Sequence, residues 1–292
     1  MNGLVIVDKP GRSTSHDVVN VWRRLSGSRR VGHLGTLDPM ATGVLVLAVG
    51  TATRLAQFYA QQTKTYEGEI DLGLVSDTYD TDGEVQSTGV ALPPLAEVIA
   101  ALDRFRGRIQ QTPPPFSAKK IHGVPAYKLA RKNIEVELKT VEVEISELQV
   151  LEQAPGRIKI RVSCSAGTYV RSLAHDLGRT LGCGALLSGL RRLRSGDFEA
   201  DHARSLDELR VLAAEGRLAE CVIPARTLLP QFPTAHVDSE LEAQIRQGRE
   251  FRTSPFVVKP GAPFVKAVSR SGDLIAIGEL KIPNVYHPAI VL

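Results

Sequence analysis

The strongest constraint on the fold is that apolar residues follow two different periods along the chain. Residues 65–72 alternate polar and apolar side chains, which predicts a strand with one solvated face. Residues 44–49 form a continuous apolar run, typical of a strand buried on both faces. Residues 18–25 instead carry apolar side chains at helical spacing. Because these elements mix without a regular βαβ rhythm, we predict an α+β fold with a mixed, largely antiparallel sheet flanked by helices.

The same reasoning assigns the rest of the first 200 residues. The acidic stretch DTYDTDGE at 77–84 is read as a turn, because the closing position of a calcium loop would fall on Gly89, where a Glu is required. The prolines of residues 111–123 predict a long basic loop. We expect further strands over 4–7, 134–150 and 157–163, and further helices over 52–61, 95–105, 125–131 and 168–181.

The composition changes near residues 228–233, where LLPQFP predicts a linker. After it come a helix ending at Gly248 and a hairpin that pairs residues 264–268 with 274–277. We therefore predict two domains, residues 1–229 and residues 230–292, the second small and β-rich.

Composition excludes several classes of protein. No apolar run approaches the roughly 18 residues of a membrane span, and the N-terminal apolar stretch ends after four residues at Asp8, so we expect a cytoplasmic protein without a signal peptide. The three cysteines are widely spaced and predict reduced, partly buried thiols. Motifs for nucleotide phosphates, nicotinamide and zinc are missing from the sequence, so we expect neither a cofactor nor a metal.

Charge is distributed unevenly, although the net charge is only +4. Residues 9–33 contain six Lys or Arg and one acid, and residues 101–133 contain eight Lys or Arg and one acid. Residues 163–196 contain five Lys or Arg and one acid, whereas residues 67–97 contain eight acids and no Lys or Arg. Such segregation can give one face a positive potential, for which a nucleic acid is the obvious partner. The alternative is that the basic residues are solvated on unrelated faces.

One carboxylate stands among very small residues in the segment GHLGTLDPMATG at 32–43. Pro39 disfavours a helical backbone at Asp38, and the surrounding Gly and Ala side chains are too small to cover the acid. The arrangement presents the carboxylate to a bulky ligand that must approach closely. Such an acid could be a nucleophile, a general base or a cap, and an ordinary Asp-Pro turn is the structural alternative.

A second segment, CSAGTYVRSLAHDLG at 164–178, offers a partner for that acid. Arg171 lies in the first turn of a predicted helix and could form a bidentate pair with Asp38, which would favour the ionised carboxylate. Tyr66, at the head of the alternating strand, could stack on a base. The alternatives are a surface arginine and a core aromatic residue.

Several segments in order together resemble the bacterial TruB-type tRNA pseudouridine-55 synthases. The most specific of these segments are GTLDPMATG and GTYVR. The resemblance is also carried by DKPGRSTS, KTYEGEIDLGLVSDTYDTDG, QTPPPFSAKKIHGVPAYKLAR and CSAGTYVRSLAHDLGRTLGCGALLSGLRRL. It is strong over about residues 3–195, whereas the last sixty residues only weakly resemble the PUA-like RNA-binding domain of that family.

The resemblance implies a pseudouridine synthase fold and isomerisation of uridine 55 in the T loop of tRNA, without cofactor or metal. It implies that Asp38 is the essential acid, which attacks the sugar C1′, adds to the base C6 or removes a 2′ proton. His33 would fill the space left by the flipped nucleotide, and the basic segment 101–133 would contact phosphates of the T arm. The other implied substrate-binding residues are Tyr66, Tyr169, Arg171, Leu190 and Lys9, the last as support for the wall of the site.

Two other functions are compatible with the sequence. One is a non-catalytic RNA-binding or tRNA-folding protein that uses the same positive face. The other is a guide-RNA-dependent pseudouridine synthase, which needs partner proteins. We expect a monomer that acts on tRNA, with no membrane partner.

Overall fold

The computed structural model describes residues 1–117, 120–121, 124–126, 129, 138–254, 256, 258–259 and 261–292. The helices are α1 (Ser15–Ser26), α2 (Leu95–Asp103), α3 (Val170–Leu181), α4 (Leu206–Ala214) and α5 (Ser239–Arg246), with 3₁₀ helices at Gly50–Phe58, Ala200–His202, Leu218–Cys221 and Ala225–Thr227. The strands are β1 (Gly3–Lys9), β2 (Val31–His33), β3 (Thr42–Val49), β4 (Lys64–Leu72), β5 (Leu74–Val75), β6 (Gln86–Ser87), β7 (Gly107–Gln111), β8 (Lys120–Ile121), β9 (Val124–Pro125), β10 (Val141–Ala154), β11 (Arg157–Cys164), β12 (Ala185–Ser195), β13 (Phe198–Glu199), β14 (Ile223–Pro224), β15 (Thr234–His236), β16 (Phe251–Arg252), β17 (Phe264–Val268), β18 (Leu274–Ile282) and β19 (Val285–Val291).

In the described residues, ten strands form one large sheet in the order β14-β1-β3-β12-β4-β11-β10-β7, with β13 added to β12 and β2 added to β3. All neighbours in it are antiparallel except β3 and β12, which are parallel. This confirms the predicted α+β class with a largely antiparallel sheet. The parallel pair matters for function, because it places the start of β3 beside the middle of β12.

The apolar strands at the centre of this sheet are buried on both faces. On β1, Val5 and Val7 belong to the core beneath α1 and α3, whereas Leu4 and Ile6 belong to a second core on the other side. Val44 and Leu45 divide in the same way on β3. The continuous apolar runs of β1 and β3 follow from this double burial, since successive strand residues point to opposite faces.

Helices α1 and α3 cover one face and lead to the segments that carry the candidate site. Helix α1 begins with a capping box in which the Thr14 side chain accepts from the Asp17 amide and the Asp17 carboxylate accepts from the Thr14 amide. Its buried face includes Val18 and Trp22, as the helical spacing predicts. Helix α3 buries Leu173 and Leu177 and ends at Gly182, whose positive φ of 73° suits a glycine cap.

The second sheet has the order β15-β17-β18-β19-β16 and packs against the first. The predicted hairpin of residues 264–268 with 274–277 is confirmed by the pairing of β17 with β18. The prediction that residues 228–233 form a linker is wrong, because the segment is not exposed: Leu228 and Leu229 are only 3% and 2% exposed. Both lie in the core shared by β1, β3 and the second sheet, so this segment is a packed connection.

Three other local predictions are changed by the structure or lie outside it. The helix predicted over residues 52–61 is found as a 3₁₀ helix over Gly50–Phe58. Within the predicted loop of residues 111–123, residues 120–121 pair with residues 124–125 as a short antiparallel ladder. The helix predicted for 125–131 and the start of the strand predicted from 134 fall largely outside the described residues.

The three cysteines are free, with Cys164 and Cys183 buried and Cys221 half-buried, which confirms the prediction of reduced, partly buried thiols. Among the helices in the described ranges, none combines the length and apolarity needed to cross a bilayer.

Candidate active site

Asp38 lies in the connection between β2 and β3, and this connection is fixed by a side chain of α1. The Leu37 amide donates to Ser15 Oγ at 2.8 Å, and Ser15 Oγ donates to the Leu37 carbonyl at 3.1 Å. Asp38 closes the turn itself, since its carbonyl accepts from the Ala41 amide at 3.1 Å. Because both backbone groups of Leu37 are held, the position of the next residue is strongly restricted.

Lys9 supports the same turn from beneath. Its Nζ donates to the carbonyls of Pro10 at 2.9 Å, Ser13 at 2.5 Å and Pro39 at 3.2 Å. The side chain is fully buried, and burial lowers its pKa to about 8 although Asp38 acts in the opposite direction. Because the Lys9 ammonium faces backbone carbonyls, this geometry favours a role in supporting the wall of the site over direct contact with a substrate.

This burial gives Lys9 a distinctive effect on stability. A lysine whose pKa falls on folding binds its proton more weakly in the native state, so between about pH 8 and pH 10.5 the unfolded chain holds more protons. The stability of the wild type relative to Lys9→Met is therefore expected to rise across that range. Denaturant unfolding of both proteins at several pH values measures the difference in their free energies of unfolding. The contributions of the other titrating groups, which both proteins share, cancel in that difference. A difference that stays constant with pH contradicts the expectation.

Arg171, on the first turn of α3, holds Asp38 from the opposite side. Its Nη2 donates to Asp38 Oδ1 and to the Phe116 carbonyl, both at 2.9 Å. Its Nη1 donates to the Thr78 carbonyl at 2.9 Å and lies 3.3 Å from Asp80 Oδ2. The sequence predicted a bidentate pair with Asp38, but the guanidinium is divided among four acceptors. This division leaves the second oxygen of Asp38 outside the ion pair.

Asp80 is the second carboxylate of this network and differs sharply from the first in exposure. The Asp80 side chain is 3% exposed, whereas that of Asp38 is 31% exposed. Burial raises the pKa of Asp80. Three contacts act in the opposite direction: a hydrogen bond from Thr78 Oγ1 at 2.6 Å, the charge of Arg171, and a hydrogen bond from the Asp82 amide at 3.0 Å. The guanidinium thus joins one enclosed carboxylate to one accessible carboxylate, and Asp38 is the one exposed to an approaching ligand.

Asp38 and Arg171 stand on the ridge between two cavities, and both line each of them. The smaller cavity, of about 280 Å³, is lined partly by aromatic and aliphatic side chains and by two further cations. The larger, of about 900 Å³, is lined by several carboxylates and two imidazoles. Besides the ridge residues, the smaller one includes Lys64, Tyr66, Tyr169, Leu190 and Arg192, and the larger one includes His16, His33, Asp77, Asp80, Phe116 and Ser117.

The register of β4 and β12 explains why the smaller cavity contains a ring beside a leucine. Tyr66 lies opposite Arg192, and Gly68 lies opposite Leu190. A Cβ at Gly68 would lie 3.3 Å from the Leu187 side chain and in ordinary contact with that of Leu190 at 3.6 Å, so both leucines pack closely over the glycine. The Tyr66 side chain is nearly buried, and burial raises its pKa while the neighbouring Arg192 lowers it. Tyr66 therefore stays a neutral phenol at neutral pH.

Arg192 ties the Asp38 segment to this strand pair. Its Nε donates to the Val44 carbonyl at 2.6 Å, and its terminal nitrogens donate to the carbonyls of Gly35 at 3.1 Å and Thr36 at 3.4 Å. Gly43 faces the Arg192 backbone, where a Cβ would lie 2.2 Å from the carbonyl oxygen. Its φ of 95° adds a second reason for glycine at this position.

The remaining residues predicted from sequence are placed on the rims of the two cavities. Tyr169 caps α3, and the buried Gln111 side chain both donates to the Tyr169 carbonyl at 3.0 Å and accepts from its amide at 2.8 Å. His33 lines the larger cavity, and burial lowers its pKa. The smaller cavity thus contains four of the predicted residues beside Asp38, namely Tyr66, Tyr169, Arg171 and Leu190. His33 lies in the larger cavity. Lys9 lines neither cavity and supports the Asp38 turn through backbone carbonyls.

Sequence reasoning missed three residues of this constellation. Asp80 was read as part of an acidic turn, and Arg192 and Gln111 were not singled out. A signal for Asp80 was present, because it lies in a run of four carboxylates with no Lys or Arg nearby in the sequence to neutralise them. In the described part of the chain, no group of three or more His, Cys, Asp or Glu side chains is arranged to hold a metal ion.

Comparison with known proteins agrees with this geometry. The family described as TruB family pseudouridylate synthase, N-terminal domain, matches residues 23–170, and the tRNA pseudouridylate synthase B C-terminal domain matches residues 171–230. A tRNA pseudouridine synthase B of Solibacter usitatus is 52% identical over 293 residues, covering 100% of both chains. The chain belongs to the TruB family of pseudouridylate synthases.

Other TruB-family relatives and a solved structure show the same similarity. A tRNA pseudouridine synthase B of Syntrophotalea carbinolica is 45% identical over 244 residues, which cover 82% of this chain and 78% of that one. Among solved structures, a chain of the Cbf5-Nop10-Gar1 complex has a TM-score of 0.70 and 26% identity, covering 97% of this chain and 79% of the other. The pseudouridine synthase fold predicted from the sequence is therefore confirmed.

Proposed function

We propose that this TruB-family chain converts uridine 55 in the T loop of tRNA to pseudouridine, with Asp38 as the essential acid. The observation that carries the proposal is the ridge on which an accessible carboxylate, held by a buried guanidinium, borders a cavity containing Tyr66 and Leu190. The tRNA substrate is supported by the relatives described as tRNA pseudouridine synthases.

The reaction is an isomerisation that needs no imported group. The N1–C1′ bond of uridine breaks, the base turns, and C5 forms a bond to the same C1′ while C5 loses a proton and N1 gains one. Each of the three roles open to Asp38 requires an ionised carboxylate near the sugar: attack at C1′, addition to C6 or removal of the 2′ proton. The ion pair with Arg171 favours that ionised form.

The protein must also retain a base that has left its sugar. In the proposed complex the uracil lies in the smaller cavity, with Tyr66 stacked on one face and Leu190 packed against it. Tyr169 lines the rim, and its backbone is held by Gln111. Extruding a base from a loop costs less than extruding it from a duplex, which suits a T-loop substrate. His33, in the larger cavity, occupies the space that the extruded nucleotide leaves.

The RNA itself is proposed to bind through exposed arginines. Arg12, Arg29 and Arg30 are exposed, whereas Arg171 and Arg192 are buried and serve the site. We propose residues 230–292 as an additional RNA-binding domain, in which the Phe256 ring is 98% exposed and Arg252 is exposed as well. The basic segment 101–133 falls partly outside the described residues, and its contact with the T arm remains a prediction, as do the monomeric state and the cytoplasmic location.

Affinity for tRNA is expected to fall steeply with salt. Neutralising several phosphates releases counterions, so the logarithm of the association constant should fall linearly with the logarithm of salt concentration, with a slope of about −0.7 to −0.9 per phosphate contact. Filter binding of unmodified tRNA between about 50 and 200 mM KCl measures the slope. A flat dependence would show that the exposed arginines do not face the RNA.

The function is tested by incubating the purified chain with an unmodified tRNA transcript and, separately, with a T-arm stem-loop. Pseudouridine is then mapped at single-nucleotide resolution. The proposal expects modification at position 55 in both RNAs. Tight binding without modification would identify an RNA-binding or folding protein. Modification only after addition of a guide RNA and partner proteins would identify the guide-dependent class, which the similarity to the Cbf5-Nop10-Gar1 complex makes worth testing.

A further inference from the structure

An aromatic stack joins the acidic turn to α3 at the edge of the site. The rings of Tyr79 and His175 have centroids 3.8 Å apart and planes inclined by only 9°. Both side chains are half-buried, and neither ring belongs to the cavities described above. The contact is therefore a connection between two backbone segments, and the proposed reaction does not use it directly.

The stack lies one helical turn from the guanidinium that holds both carboxylates. Residues i and i+4 of a helix lie on the same face, so α3 presents Arg171 and His175 side by side. Arg171 binds the Thr78 carbonyl and the Asp80 carboxylate, the two neighbours of Tyr79. Residues 78, 79 and 80 of the acidic turn are thus contacted by Arg171 and His175, which lie one helical turn apart on the same face of α3.

The backbone of Tyr79 shows why the turn needs this second attachment. Its φ is +64°, a left-handed conformation that is unfavourable for a residue with a bulky side chain. The surrounding structure must therefore enforce it. One enforcing contact is the hydrogen bond from the Leu187 amide to the Tyr79 carbonyl at 3.0 Å. The Tyr79 amide also donates to the Ser76 carbonyl at 3.3 Å. The ring stack on His175 acts on the side chain instead, since it fixes the ring that this backbone directs toward α3.

We propose that His175 is a positioning residue for the isomerisation. By stacking on Tyr79 it maintains the left-handed turn that delivers Asp80 to Arg171, and through Arg171 it maintains the orientation of Asp38. The expected effect on the reaction rate rests on the proposed function, whereas the expected effect on the conformation of the acidic turn does not. The stack requires an aromatic ring at position 175 and no particular charge.

The test compares His175→Phe, which keeps a ring for stacking, with His175→Ala, which removes it. Hydrogen–deuterium exchange is followed over residues 77–84 and at the Leu187 amide, and single-turnover rates are measured on the T-arm stem-loop. His175→Ala should speed exchange in the turn and lower the rate by about two- to tenfold, the scale of one lost aromatic pair, with RNA affinity unchanged. His175→Phe should restore both. Thr180→Ala, at an exposed uncharged position on the same helix, is the matched control.

A combined variant tests the route of the effect. If His175 acts through Asp80, His175→Ala should lower the rate little further in an Asp80→Asn background. The inference is overturned if His175→Phe is as impaired as His175→Ala, or if exchange over residues 77–84 is the same in all variants. Absence of any product with the wild type would refute the proposed function instead, and the exchange measurements would still decide whether the stack holds the turn.

Discussion

Replacement of Asp38 by Asn is expected to abolish pseudouridine formation and to leave RNA binding nearly intact. The amide keeps the size of the side chain and its place on the ridge but removes the charge that each role of Asp38 requires. The rate should fall by at least about 10⁴-fold, as when a single essential residue is removed from other enzymes. Single-turnover assays with excess enzyme measure the rate, and filter binding measures the affinity.

The controls for Asp38→Asn address the net charge and the position of the carboxylate separately. Asp207→Asn removes one negative charge from α4, where the side chain is 88% exposed, and should leave both quantities unchanged. Asp38→Glu keeps the charge but moves it by one methylene, and it should retain binding with a strongly reduced rate. Residual turnover of Asp38→Asn within tenfold of the wild type would show that another group supplies the chemistry.

Replacement of Arg171 by Met is expected to give the second largest effect, in both activity and stability. The substitution leaves the buried Asp80 carboxylate without its cation and removes the donor from the Thr78 and Phe116 carbonyls. Breaking a buried ion pair in this way typically costs about 3–5 kcal/mol. The turnover rate should fall by about 100-fold or more, because Asp38 loses its orientation. Urea unfolding and single-turnover assays measure the two effects.

The stability loss of Arg171→Met should depend on pH with a definite sign. Burial already raises the pKa of Asp80 above its ordinary value, and loss of the guanidinium raises it further. An acid with a raised pKa in the folded state takes up its proton more readily when folded, so the variant regains stability relative to the wild type as pH falls through that raised pKa. The double variant Arg171→Met with Asp80→Asn should lose this pH dependence. An equal deficit at pH 7 and pH 5 would contradict the assignment.

Much of the fold was predictable because short-range patterns decide it. The uninterrupted apolar residues of β3 reflect burial on both faces, and the alternation in β4 reflects one solvated face. Helix α1 was indicated by the helical spacing of its apolar residues, of which Val18 and Trp22 are buried. In each case the physical cause acts within one element, so the sequence of that element carries the information.

The connections between elements were less predictable. Arg171 was expected to pair with Asp38, but its sharing with Asp80 depends on where the acidic turn lies in three dimensions. Arg192 reaches the Asp38 segment only because β3 and β12 are parallel neighbours, a pairing that no local pattern specifies. Leu228 and Leu229 were read as a linker because the second sheet that buries them comes later in the chain.

The central claim is that a uridine leaves its loop and enters the smaller cavity beside Asp38. The most direct measurement is a structure of the Asp38→Asn variant bound to a T-arm stem-loop. The account predicts the uracil between Tyr66 and Leu190, with its C1′ facing the side chain of residue 38 and His33 in the vacated part of the loop. A uridine still stacked in the RNA, or a base bound elsewhere with residue 38 untouched, would contradict it.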